Sequence, residues 1–153
     1  MKRIGFTGTR HGMTDAQRQV VFALVRDMTP ASEDWDQAHH GDCTGADADF
    51  HHIASSLGMY LVGHLPVDDT HRARCAFDET RSPTTHMARN RAIVAESDVM
   101  IACPYEATEQ PRGGTWATIR MARKAGKPLA IVLPDGTVQR ERWPNDAKPG
   151  SAP

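Results

Sequence analysis

Residues 98–133 read DVMIACPYEATEQPRGGTWATIRMARKAGKPLAIVL. From Val99 to Cys103 the side chains are apolar without interruption, a run too short for a helix and typical of a strand buried on both faces. Pro104 to Gly114 gathers Pro, Gly and polar residues and reads as a loop. Thr115 to Ala125 lacks Pro and Gly, carries Arg123 and Lys124 in its last turn and stops at Gly126, the signature of a helix and its end. Pro128 to Leu133 then restores an apolar run. Strand, helix and strand in so short a stretch make a crossover unit of a parallel sheet.

The same alternation extends toward the N-terminus. Arg3 to Phe6 is a strand, Gly8-Thr9-Arg10-His11-Gly12 a turn, and Thr14 a cap for a helix from Asp15 to Met28, with Val20, Val21, Leu24, Val25 and Met28 on one face. A strand from Asp36 to His40 leads through Gly41-Asp42-Cys43-Thr44-Gly45 into a helix from Ala46 to Leu57. Thr44 and Asp47 make its capping box and Gly58 closes it. Met59 to His64 is a third strand. A long loop of Pro, Asp, His and Arg residues, 65–85, then precedes a third helix from Thr85 or His86 to Glu96.

The expected fold is α/β: a single Rossmann-like domain over residues 1–138, with a mostly parallel sheet of about five strands and helices on both faces. Residues 139–153 are polar, contain Pro and are expected to form a tail. In the common strand order 3-2-1-4-5, the loops that precede the helices gather at one rim, the carboxyl edge of the sheet.

Composition narrows the function classes. The 153 residues suit one domain, and 18 Lys+Arg against 19 Asp+Glu give a net charge of −1, with no global drive toward nucleic acid or anionic lipid. Three cysteines without CxxC spacing, and no leader pattern at the N-terminus, suggest a reduced, cytoplasmic setting. Because no apolar stretch reaches the roughly 20 residues a bilayer requires, no membrane partner is expected.

The rim carries the chemistry. Arg112-Gly113-Gly114-Thr115 sets a cation, two glycines and a hydroxyl at a helix start, where close backbone approach and free N–H groups suit a phosphate. Its alternative is a steric turn capped by Thr115. Thr7-Gly8-Thr9-Arg10 forms a second cradle across the expected crevice. Asp42 and Asp47 could accept bonds from ribose hydroxyls or position a water, or could serve as turn and cap residues. Arg89 and Asn90 begin the third helix on the same rim and are read as ligand contacts. Arg72, Arg74 and Arg81 could add recognition of an anion or pair with Asp78 and Glu79. His39, His40, His51 and His52 lack a standard zinc spacing and are read as a solvated surface, so neither a metal nor a cofactor is expected.

Four ordered motifs, Gly5-Phe6-Thr7-Gly8-Thr9-Arg10, Gly41 to Asp47, Arg89 to Val94 and Arg112 to Ile119, resemble the YspA/YpsA-related branch of the SLOG superfamily, relatives of the LOG phosphoribohydrolases and of the DNA-processing protein DprA. The resemblance spans about Met1 to Pro134. It implies a Rossmann-like fold that binds nucleotides or nucleotide-derived ligands, and homo-oligomers. By that resemblance Thr7, Gly8, Thr9, Arg10, Gly41, Thr44, Gly45, Arg89, Asn90, Arg112, Gly113, Gly114, Thr115 and Thr118 are candidate ligand residues. LOG enzymes carry a glutamate in the motif PGGxGTxxE, and its position falls on Thr118, which cannot act as a carboxylate. Binding of a nucleotide-like small molecule is therefore the first expectation. An N-glycoside hydrolase or transferase using Asp42 or Asp47 is the alternative, and contact with single-stranded DNA the third.

Overall fold

Thr14 begins the first helix by a reciprocal capping box: its hydroxyl accepts the Gln17 N–H at 3.0 Å, and the Gln17 side chain accepts the Thr14 N–H at 3.0 Å. Gln17 is buried, and its Nε2 also donates to the carbonyls of Pro104 and Val132. One side chain thus starts the helix and ties it to the carboxyl ends of two strands.

The computed structural model describes residues 1–30 and 35–144. In chain order the elements are β1 (Arg3–Gly8), α1 (Asp15–Met28), β2 (Gln37–His40), α2 (Ala46–Ser56), β3 (Tyr60–Pro66), β4 (Glu79–Thr84), α3 (His86–Glu96), β5 (Val99–Cys103), α4 (Gly114–Lys124), β6 (Leu129–Val132) and β7 (Val138–Glu141). They form one sheet in the order β4-β3-β2-β1-β5-β6-β7, with every neighbouring pair parallel except β6 and β7.

The buried runs divide between two layers by their period of two. Val99, Ile101 and Cys103 of β5 join Ile4, Phe6, Ala130 and Val132 on the face covered by α1 and α2. Met100 and Ala102, with Leu129 and Ile131, face α3 and α4, where Ile93, Trp116 and Ile119 pack on them. Helices on both faces explain why β5 has no polar position, and the expected three-layer architecture is the one observed.

The inner five strands keep the expected order, but the sheet has seven strands where about five were expected. Within the supposed loop 65–85, Glu79–Thr84 forms β4 along β3. Five of its six side chains are polar and one is Pro, so it lacks the apolar alternation that announces a strand, as an edge position permits. At the other edge, Val138–Glu141 turns back on β6, and Trp143 is buried in the core. Ordered structure therefore passes the boundary expected after residue 138, and the remainder of the expected tail, residues 145–153, lies outside the described residues.

Candidate functional site

β1 and β5 are neighbours, and their chains leave the sheet toward opposite sides, so a crevice opens between their carboxyl ends. A cleft of about 430 Å³ occupies this position. Both glycine loops face it: Thr7, Gly8, Thr9 and Arg10 after β1, and Arg112, Gly113, Gly114 and Thr115 at the start of α4.

The α4 loop carries the features of an anion cradle. Gly113 is the N-cap, with φ at +104°, and it contributes no side-chain cap. The first N–H groups of α4 lack intrahelical partners as in any helix, and the residues that carry them, Gly114, Thr115 and Trp116, line the cleft. Gly114, one residue into the helix, has an ordinary φ, and a Cβ built there would meet nothing within 4 Å. The fold itself therefore does not require glycine at this position, although glycine weakens a helix by up to about 1 kcal/mol relative to alanine. Arg10 and Arg112 are exposed at the rim, and neither pairs with a carboxylate among the described residues.

The loop after β2 divides into residues that face the cleft and residues that support it. Gly41, Cys43 and Asp47 line the cleft. Asp42 does not: it is buried with φ at +58°, and its carboxylate accepts from Arg72 Nε at 2.8 Å and from the Cys75 N–H at 2.9 Å. It anchors the segment before β4 and is turned from the position a ribose or a reacting water would need. Thr44 is exposed and its N–H donates to the His71 carbonyl, so it too lies off the cleft.

The expected capping box of α2 is absent. Gly45 is the N-cap, and Asp47 instead accepts the Cys43 N–H at 3.1 Å. Gly45 has φ at +89°, and a Cβ there would collide with the carbonyl oxygen of Arg10. It holds two rim loops together, helped by the Ala46 N–H donating to Thr9. Asp47 is the carboxylate of the motif that reaches the cleft. Burial lifts its pKa from 3.8 to about 6, with bonds from the main chain and the charge of Arg89 acting the other way.

Arg89 also lines the cleft, but its guanidinium is committed. Nη1 donates to the Gly41 carbonyl at 2.6 Å, Nε to Asn90 Oδ1 at 2.7 Å, and Nη2 reaches Cys43 Sγ at 3.7 Å. It stabilises the cleft floor and is less available to a ligand than its position in the motif suggests. Thr118 lies outside the lining: it is buried, and its hydroxyl donates to the Gly114 carbonyl at 2.8 Å within α4.

Arg72, Arg74 and Arg81 pair with Asp42, Asp69 and Glu96, not with the Asp78 expected from sequence, although Arg81 also contacts Glu79. The histidines depart furthest from expectation. His39, His40 and His51 are buried and paired across elements, His39 with His64 and His40 with His51, and form no solvated surface; His52 alone of the expected four is exposed.

Sequence reasoning missed the segment after β5. Tyr105 is exposed with its ring 4.3 Å from that of His11, and Trp116 Nε1 donates to Glu106 at 3.0 Å, all four residues lining the cleft. The available signal was an aromatic-acidic pair directly after the buried strand, on the rim already chosen.

No protein-family model and no curated protein matches the chain. Among solved structures it is similar to the molybdenum cofactor binding protein of Rippkaea orientalis, at 23% identity and a TM-score of 0.66 over 86% of this chain and 76% of that one. The Moco carrier protein of Chlamydomonas reinhardtii is similar at 25% identity and a TM-score of 0.58, over 88% and 76%. The structural-genomics target TM1055 has 18% identity and a TM-score of 0.59, over 84% and 72%. The likeness is one of fold, and it agrees with the Rossmann-like architecture that the SLOG resemblance implies.

Proposed function

We propose that the cleft between β1 and β5 binds a nucleotide or nucleotide-derived small molecule, with a phosphate at the start of α4 and the heterocycle toward Tyr105. Gly114 carries the reading: it is a helical glycine whose missing Cβ answers no contact within the protein, so the space it leaves suits a ligand. The exposed guanidinium groups of Arg10 and Arg112 supply the charge, and the Tyr105 ring offers a stacking face. Two of the structural neighbours are described as binding or carrying molybdenum cofactor, so that cofactor is a second candidate for the same cleft.

A second reading, cleavage of a nucleotide N-glycosidic bond, is favoured by Asp47. A buried cleft carboxyl with a pKa of about 6 can hold or release a proton near neutrality, as a general acid or base must. Asp42 is withdrawn from that reading by its bonds to Arg72 and Cys75. The DNA reading, which would use Arg72, Arg74, Arg81, Arg89 and Arg91, is less favoured because its three loop arginines pair with Asp42, Asp69 and Glu96.

The test is calorimetry of the purified chain against nucleoside mono- and diphosphates, ADP-ribose and molybdenum cofactor, with each mixture then chromatographed for released base. We expect saturable binding of at least one phosphate-bearing heterocycle, weakened in Gly114→Ala. Absence of heat with every member at millimolar concentration rejects the reading.

A further inference from the structure

One histidine pair lies on each face of the sheet, and hydrogen bonding distinguishes what each can do. In the first, the Asp42 N–H donates to His40 Nδ1 at 3.0 Å. Neutral His40 therefore carries its proton on Nε2, which donates to His51 Nδ1 at 2.8 Å. While that main-chain bond stands, His40 has no lone pair to offer an ion. The nearby Cys75 thiol is no readier a donor, since burial and the charge of Asp42 push its pKa up to about 12.

In the second pair one ring nitrogen, His64 Nδ1, escapes this restriction. His39 Nε2 lies 2.9 Å from the Gln37 side-chain oxygen, which only accepts, so His39 keeps its proton on Nε2 and turns the Nδ1 lone pair toward His64 Nε2, 2.9 Å away. Donating that bond leaves His64 with a bare lone pair on Nδ1. This atom is buried and has no hydrogen-bond partner among the described residues. Opposite it, at 3.7 Å, is Glu96 Oε2, another acceptor. Two acceptors facing one another call for a positive species between or beside them.

We propose that His64 Nδ1 and Glu96 Oε2, with His39 orienting the His64 ring, form a binding site for a divalent transition metal of the zinc class. The two donor atoms already lie 3.7 Å apart. A tetrahedral ion bonded at about 2.0–2.1 Å needs roughly 3.3 Å between donors, so a modest movement of Glu96, the one member that reaches solvent, closes the set. The surroundings are of the kind that orient ligands: His39 Nδ1 receives the remote N–H of His64, Gln37 receives that of His39, and Arg81 holds the other Glu96 oxygen at 2.7 Å. The Arg81 charge is shared with Glu79, which leaves Oε2 directed at the histidines. Neither the cleft nor its ligand enters this argument.

The experiment adds cobalt(II), and separately zinc(II) in competition with a chromophoric chelator, to the chelator-stripped full chain at neutral pH. The site predicts one equivalent bound, an intense visible cobalt band of low coordination number, and a raised melting temperature. Glu96→Gln should weaken binding by about tenfold or more, His64→Gln should abolish it, and Cys75→Ser should leave it unchanged. Glu96 is partly exposed, so its variant keeps the test decisive if the His64 variant does not fold. The proposal is overturned if no cobalt band forms, if the band survives Glu96→Gln undiminished, or if it carries a thiolate charge-transfer feature lost in Cys75→Ser.

Discussion

Arg89 Nη1 donates to the carbonyl oxygen of Gly41 at 2.6 Å, joining the first turn of α3 to the loop after β2 beneath the cleft. The guanidinium lies so close to Gly41 that a Cβ on that glycine would overlap it. Arg89→Ala should therefore destabilise the fold by about 2–4 kcal/mol, since it strips buried carbonyls of a charged donor and leaves a void. Arg89→Lys, without the planar fork, should recover only part of this. Urea denaturation of the three proteins measures it; an unchanged midpoint in Arg89→Ala would mean that the contact is ornamental.

Gly114→Ala should separate stability from binding. With nothing near the added methyl and an ordinary φ, the variant should be as stable as the parent or more so, by up to about 1 kcal/mol. Its affinity for a phosphate-bearing ligand should fall about tenfold or more. Gly113→Ala, at a φ of +104°, should lose stability as well. Thermal melts and calorimetry on the two variants give the comparison.

Asp47 predicts a pH dependence of known sign. Its carboxyl is held at about 6 in the fold against 3.8 ordinarily, so the folded chain binds the proton more tightly than the unfolded one. Stability from this group is fully present below about pH 4, declines between 4 and 6, and is replaced by a penalty on the order of 3 kcal/mol above that range. Asp47→Asn, which keeps an oxygen for the Cys43 N–H, should be more stable than the parent at pH 8 and no more stable at pH 4. The same ionisation opposes an anionic ligand, so the parent's affinity should drop through pH 6 while the variant's stays level.

Thr118→Glu asks whether a LOG-type carboxylate can be restored. Thr118 is buried, and its hydroxyl is spent on the Gly114 carbonyl, so the longer acid must enter the packed layer under α4. A loss of about 2–4 kcal/mol is expected, with no release of base from nucleoside monophosphates. Melting curves and chromatography decide, and a stable variant with new turnover would refute the prediction.

Most of the scaffold was legible because its signals are local. Thr14 caps the helix it was expected to cap, the third helix starts at His86, one of the two expected positions, and β5 is as buried as its unbroken apolar run implies. The opposed glycine loops followed from strand order, which the parallel crossovers constrain. What escaped was decided by distant partners. β4 owes its existence to pairing with β3, not to its own residues, and β7 to a return onto β6. Asp42 looked like a site residue because its spacing gives no hint of Arg72, thirty positions on, and the histidines looked solvated because each partner lies on another element. Tyr105 and Glu106 reach the cleft through the path of an irregular loop, which no periodicity encodes.

The two outermost strands finish the sheet in charge. Glu79 and Arg81 stand on β4, with Pro83 interrupting its donors, and Arg140 and Glu141 stand on β7, which is only four residues long. Strands of this kind make poor templates for a further strand from another molecule. Growth of the sheet from copy to copy is thereby discouraged at both ends.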